Sequence, residues 1–212
     1  MPATKHIAGL AGIAALAGLG GVAVSSQAGT TGAPITALAK GNPAAASDAL
    51  RDTLSPYSEL APDVEAARSV RSQSGKAWTL VPTADGGACY IALGVTGCDK
   101  AAGVKAGALS FTVIALPPKA ELERQAAERR ALVAGGVKNP QIQSKVRTQA
   151  TRYGVVPDGV SSVRALDAEG GEIAQAPVVN NVYELPLGLE GDAAQVEFVQ
   201  ADGRLAGEHR AY

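Results

Sequence analysis

The chain has 212 residues, and its 19 Lys and Arg against 20 Asp and Glu leave a formal charge of −1. That balance, with aromatics at 4%, argues against a dedicated nucleic-acid binder, which needs a basic surface interleaved with stacking rings. The 46% hydrophobic content is inflated by Ala; Val, Leu, Ile and Phe number 47, about 22% of the chain, enough for a thin core.

Met1 to His6 forms a short basic lead, Ile7 to Val24 an apolar run, and Ser25-Ser26-Gln27-Ala28 a small-x-small signature. The pattern predicts an export signal over 1–28, cleaved after Ala28, and a secreted or cell-surface protein. The alternative is an N-terminal single-pass membrane anchor. The run sits at the lower limit for a spanning helix and is diluted by Gly9, Gly12, Gly18, Gly20 and Gly21, which favours the signal. No stable membrane span is expected after processing. Gly18 to Ala23 matches a dinucleotide-binding pattern by letter, but that pattern needs a strand before it and a helix after it.

Residues 29–46 are rich in Gly, Thr, Ala and Pro and predict a flexible, disordered leader. Ser47 reads as the N-cap of a short helix ending near Leu54. Ser58 to Val70 places Leu60, Val64 and Ala67 at helical spacing and predicts a second short helix, with Pro62 in its first turn. Strands follow over Ala77–Pro82 and around Cys89, joined by a turn at Asp85-Gly86. Trp78 reads as a core anchor. Cys89 and Cys98 are the two cysteines, and in an exported chain an even count predicts a disulfide between them. A strand over 108–116 stops at Pro117-Pro118.

The spacing and composition predict a longer basic helix over about 119–134, ending at Gly135-Gly136. Residues 137–150 are ambiguous: Gln141 to Ala150 fits a helix or an alternating strand. From Arg152 onward the pattern is β throughout. Val160–Leu166 is expected to pair with Glu172–Ala176, a strand over Val178–Leu185 follows, and Ala201-Asp202-Gly203 marks a last hairpin. The expected fold class is α+β and β-rich: short N-terminal helices, a small antiparallel sheet or sandwich, and one longer basic helix. The expected organisation is a helix-plus-strand region with the disulfide over 47–118, a basic helical insertion over 119–150, and an acidic β region over 151–212. The last shares a core with 77–116.

Trp78-Thr79-Leu80-Val81-Pro82, the Cys89 and Cys98 pair, Gly154-Val155-Val156-Pro157-Asp158-Gly159-Val160 and Asn181-Val182-Tyr183 carry a resemblance. In these residues the chain resembles a group of uncharacterised exported proteins of high-GC Gram-positive (actinobacterial) bacteria. The Gly-Val-Val-Pro-Asp-Gly-Val run is its most specific part. The resemblance implies export and a β-rich body, and carries no catalytic residue.

Charge is unevenly spread. Residues 119–152 hold 8 basic and 3 acidic groups, while residues 153–212 hold 3 basic and 10 acidic groups. Arg124, Arg129, Arg130, Lys138, Lys145 and Arg147 are therefore candidate anion-binding residues, for an anionic cell-surface polymer or a lipid headgroup. The competing reading is a solvated helix with pairs such as Glu121–Arg124, or one docked on the acidic β region. No cofactor or metal pattern is present: two cysteines without a nearby His supply no zinc site. A Ser-His-Asp triad would have to rest on His209, expected as a solvated tail residue. Asp167, Glu169, Glu172, Glu190 and Asp192 cluster at predicted turns. The sequence points to an exported non-enzymatic binding or structural accessory protein, with an extracytoplasmic carboxylate-based hydrolase or a secreted enzyme inhibitor as alternatives.

Overall fold

A computed structural model describes residues 35–211 except Ala108 and Glu190. The expected export signal and residues 29–34 lie outside the described residues. Twelve strands and four α-helices are described, and the fold is β-rich, with small antiparallel sheets.

The first sheet runs in the order β1 (Asn42–Pro43), β2 (Arg68–Arg71), β3 (Ala77–Pro82), β4 (Ala88–Ala92), β5 (Val95–Asp99). Local chemistry sets its turns. Between β3 and β4, the Asp85 carboxylate accepts from the Thr83 hydroxyl at 2.6 Å and the Gly87 N–H at 3.1 Å. Between β4 and β5, Leu93 and Gly94 both have positive φ, 53° and 76°, as a two-residue hairpin with native twist requires. That hairpin puts Cys89 directly opposite Cys98, and the two form a disulfide with Cα atoms 3.9 Å apart. Cys98 thus lies within strand β5.

The second sheet is β10 (Val182–Leu189), β7 (Gln149–Val155), β6 (Ser110–Ile114). The third is β12 (Leu205–Arg210), β11 (Gln195–Gln200), β8 (Val160–Leu166), β9 (Glu172–Pro177). The β8–β9 pairing and the β11–β12 hairpin form as the turn residues predict.

The middle sheet feeds two cores, because alternate residues of a strand face opposite sides. Val182, Tyr153 and Val155 join Trp78, Leu80 and Tyr90 in one cluster. Tyr183, Leu185 and Leu187 join Val163, Val196 and Phe198 in the other. Trp78, 1% exposed, is the core anchor expected of it. Phe111 stacks on Tyr90 at 5.2 Å and on Tyr153 at 5.3 Å, tying the first two sheets together. Burial pushes the Tyr90 hydroxyl up to about 12. Gly154 lies opposite Tyr183, and a Cβ there would sit 2.6 Å from the ring. The glycine lets the tyrosine lie flat across the neighbouring strand.

Several expectations are corrected. From Ile35 onward the leader is ordered, with α1 (Thr36–Lys40) and β1. Composition suggested flexibility, but Ile35 and Ala37 are buried in the first core. The helix expected over Ser58–Val70 is replaced by two 3-10 turns, Ser55–Leu60 and Val64–Ala66, and then β2. Ala61, before Pro62, is left-handed at φ 46°, and Val70 leaves for the sheet to pair with Trp78. By contrast α2 (Asp48–Leu54) forms as expected, with the Leu50 N–H donating to Ser47 Oγ at 3.2 Å. A short helix α3 (Ala101–Lys105) was not expected. His209 belongs to β12, edge-on to Phe198 with ring centroids 6.5 Å apart.

Candidate functional site: a basic arm and a polar cleft

β6 and β7 pair as neighbours, with Ile114 opposite Ala150, and α4 (Lys119–Ala134) lies on the connection between them. The helix keeps the predicted bounds. Among the described residues it makes at most marginal contact with any other helix or strand. Leu122 and Val133, its apolar candidates, are 41% and 55% exposed. With residues up to Thr148 it forms an arm on the body.

One carboxylate closes the arm's base. Glu121 is 6% exposed and accepts from Arg124 Nε at 2.8 Å and Nη2 at 2.7 Å. It also accepts from the Lys145 N–H at 2.7 Å, from Gln125 at 3.1 Å and from the Ser144 hydroxyl at 3.3 Å. Arg124 donates further to the Gln143 carbonyl at 3.1 Å and to Glu128. The Arg124 guanidinium and the Lys145 N–H hold the Glu121 carboxyl well below the usual carboxylate range. The returning segment at 143–145 is thereby fastened to the first turns of α4.

The six candidate cations divide into two groups. Arg124 is committed to Glu121 and Glu128. Arg147 is paired with Asp192. Arg129, Arg130, Lys138 and Lys145 are exposed, and among the described residues none has a side-chain hydrogen bond or ion pair. The arm therefore presents fewer available cations than the sequence count suggested, all toward solvent.

A second feature is a polar cleft of about 680 Å³ between α1, β2 and the turns at 157–160 and 178–181. Its floor is a clamp. Asp158 accepts from the Thr36 N–H at 2.9 Å, the Thr36 hydroxyl at 2.5 Å and Asn181 Nδ2 at 2.9 Å. Asn181 Oδ1 accepts from the Ala37 N–H at 2.9 Å, and Nδ2 also reaches the Val156 carbonyl at 3.1 Å. Burial raises the Asp158 carboxyl, but the Thr36 and Asn181 donors outweigh it and hold it below its ordinary value. Lys40, Arg71 and Asn180 line the mouth. In the sequence Asp158 and Asn181 stand out only as members of the resemblance motif and, for Asp158, as part of the Asp-Gly pair that ends a strand. Their role in fixing the N-terminal segment was not foreseen, and the turn chemistry of Asp-Gly and Asn-Asn was the available signal.

The acidic turns are occupied with their own backbones. Asp167 accepts from the Glu169 and Gly171 N–H groups at 3.0 and 2.6 Å, and Asp192 accepts from the Leu189 N–H at 2.8 Å. Glu190 lies outside the described residues. Lys76 is ion-paired with Glu184, whose hydrogen bond raises its pKa, and Lys76 Nζ sits 5.2 Å from the Tyr153 ring centroid. The neighbouring Ser74 hydroxyl donates to Glu184 at 2.6 Å. No group of three or more His, Cys, Asp or Glu suited to a metal occurs among the described residues. No helix among them is long and apolar enough to cross a membrane. No family model, curated protein or solved structure matches this chain.

Proposed function

We propose that the protein is an exported, non-enzymatic accessory protein that binds an anionic cell-surface polymer through its basic arm. The observation that carries this reading is the contrast within the arm. Glu121 fastens Arg124 and the returning chain, while Arg129, Arg130, Lys138 and Lys145 stay exposed without carboxylate partners. A polymer suits the arm better than a lipid surface, because insertion in a bilayer interface needs one continuous apolar face. In α4 the exposed Leu122 is separated from Leu132 and Val133 by a run of Ala, Gln, Arg and Glu. The disulfide fits an oxidising compartment outside the cytoplasm.

Retention of the purified chain on immobilised polyanion tests the reading. Retention should fall steeply with added salt and should be lost when Arg129, Arg130, Lys138 and Lys145 are all replaced by Ala. Equal retention of the quadruple variant, or none of the parent at low salt, overturns it. Binding to anionic vesicles but not to polyanion would replace the polymer with a lipid headgroup.

A further inference from the structure

Arg152 lies in β7 and is 9% exposed. A buried guanidinium is normally matched by a carboxylate, since an uncompensated charge in a poorly solvated place is unfavourable. Here no carboxylate among the described residues lies within ion-pair reach of it. All its partners are neutral oxygens. Nε and Nη2 donate to Ser110 Oγ at 3.1 and 2.8 Å. Nη1 donates to the carbonyls of Arg210 and Ala211 at 2.7 and 3.1 Å.

Two further facts concern the same place. A recess of about 360 Å³ opens beside the guanidinium, lined by Ser110, Thr112, Arg152, His209 and Arg210 among others, and by no Asp or Glu. The Tyr183 hydroxyl is fully buried, with Ser110 and Arg152 as its neighbours. A buried cation without a carboxylate partner among the described residues adjoins a recess whose lining includes two further basic residues.

We propose that this recess between β6, β7 and β12 is an oxyanion site that takes a phosphate group. The planar fork of Arg152 is already engaged by Ser110 and two carbonyls, so a flat carboxylate finds no bidentate partner. The remaining donors are single and come from neighbouring strands: one Nη2–H of Arg152 and the Ser110 and Thr112 hydroxyls, with His209 and Arg210 of a third strand also on the lining. Donors arranged around a point suit a tetrahedral anion. The phosphate supplies the negative charge that Arg152 lacks. The site belongs to the β body and does not depend on the arm.

Thermal unfolding of the purified chain in inorganic phosphate, with acetate and chloride at matched ionic strength, tests the site. Ligand binding to the folded state raises the unfolding temperature saturably. The expected result is a saturable rise with phosphate, and none with acetate or chloride. Arg210→Ala and Thr112→Val, both away from the buried cores, should each weaken the apparent affinity. Arg210→Ala should weaken it about tenfold, the size of one lost charge-assisted hydrogen bond. Arg152→Lys should abolish the effect, and Arg129→Ala with Arg130→Ala should leave it unchanged. A rise that acetate matches overturns the proposal, as does one that survives Arg210→Ala and Thr112→Val undiminished. No saturable rise in the parent overturns it as well. Glycerol 3-phosphate separates the sources: tighter binding than inorganic phosphate assigns a phosphate ester, and weaker binding assigns the free ion.

Discussion

Thr36 and Asp158 are joined by two hydrogen bonds across 122 residues, one from the Thr36 main chain and one from its hydroxyl. A single carboxylate in the Pro157-Asp158-Gly159 turn therefore holds the start of α1 against the β body. Ile35 and Ala37 complete the attachment by burial.

Replacing Asp158 by Ala removes the acceptor for the Thr36 N–H and one partner of Asn181. Hydrogen bonds to charged groups contribute about 1.5–3 kcal/mol each, and this turn is partly solvated, so a loss of about 1–3 kcal/mol is expected. Urea unfolding should show a lower midpoint, and hydrogen exchange should accelerate at residues 36–41 before it does in β3 or β4. Unchanged exchange there would show that burial of Ile35 alone holds the segment.

The same carboxylate makes stability depend on pH. Its folded pKa lies below the ordinary value of 3.8, so the unfolded state takes up a proton first as pH falls. The stabilisation is complete above the ordinary value and is lost as pH drops through the folded one. Glu184, held low by Lys76, Ser72 and Ser74 against the effect of burial, acts in the same direction. Melting temperature should be flat from neutral pH down to about pH 5 and should fall below about pH 4. Asp158→Asn should flatten part of that acid limb.

Reduction of Cys89–Cys98 opens a loop with a sequence separation of 9. Loop-closure entropy for so short a loop corresponds to about 2–3 kcal/mol. Chemical unfolding with and without reductant should differ by that amount. The β4–β5 pairing should persist in the reduced form at low denaturant, since its turn is set by Leu93 and Gly94.

Glu121→Ala should free the arm without harming the body. The Lys145 N–H, the Ser144 hydroxyl and the Arg124 guanidinium lose their shared acceptor. Limited proteolysis is expected to cut within 135–148 several-fold faster, with the melting temperature of the β body nearly unchanged. Equal cleavage rates in parent and variant would show that the clamp does not order the returning segment.

The parts legible in the sequence are those decided locally. Ser47 capping α2, Pro118 and Gly135 bounding α4, and Asp202-Gly203 turning β11 into β12 each rest on a few neighbouring residues. Ser58–Val70 misled because helical spacing of Leu60, Val64 and Ala67 is satisfied equally by 3-10 turns followed by a strand. The deciding partner of Val70 is Trp78 in another strand. Ile35 and Ala37 looked like leader because composition cannot register a core that closes over them from residues 153–182. At the candidate sites, the basic run was visible, but its division into committed and available cations was not. That division depends on where Glu121, Glu128 and Asp192 end up. Arg152 was counted as one more charge of the run, whereas its strand buries it.

The pairing of Ile114 with Ala150 means that the arm leaves and rejoins the sheet at adjacent points, with the Ala115 N–H donating to the Gln149 carbonyl at 2.8 Å. In outline, β6 and β7 are an ordinary hairpin whose connection has been lengthened. Such a connection can change its length and its charge without disturbing the strand register on either side, since loop closure costs little more as a loop grows. The body can thus stay constant while the arm is remade, and a short two-residue turn grafted from Ile114 to Ala150 should yield an armless protein that still folds.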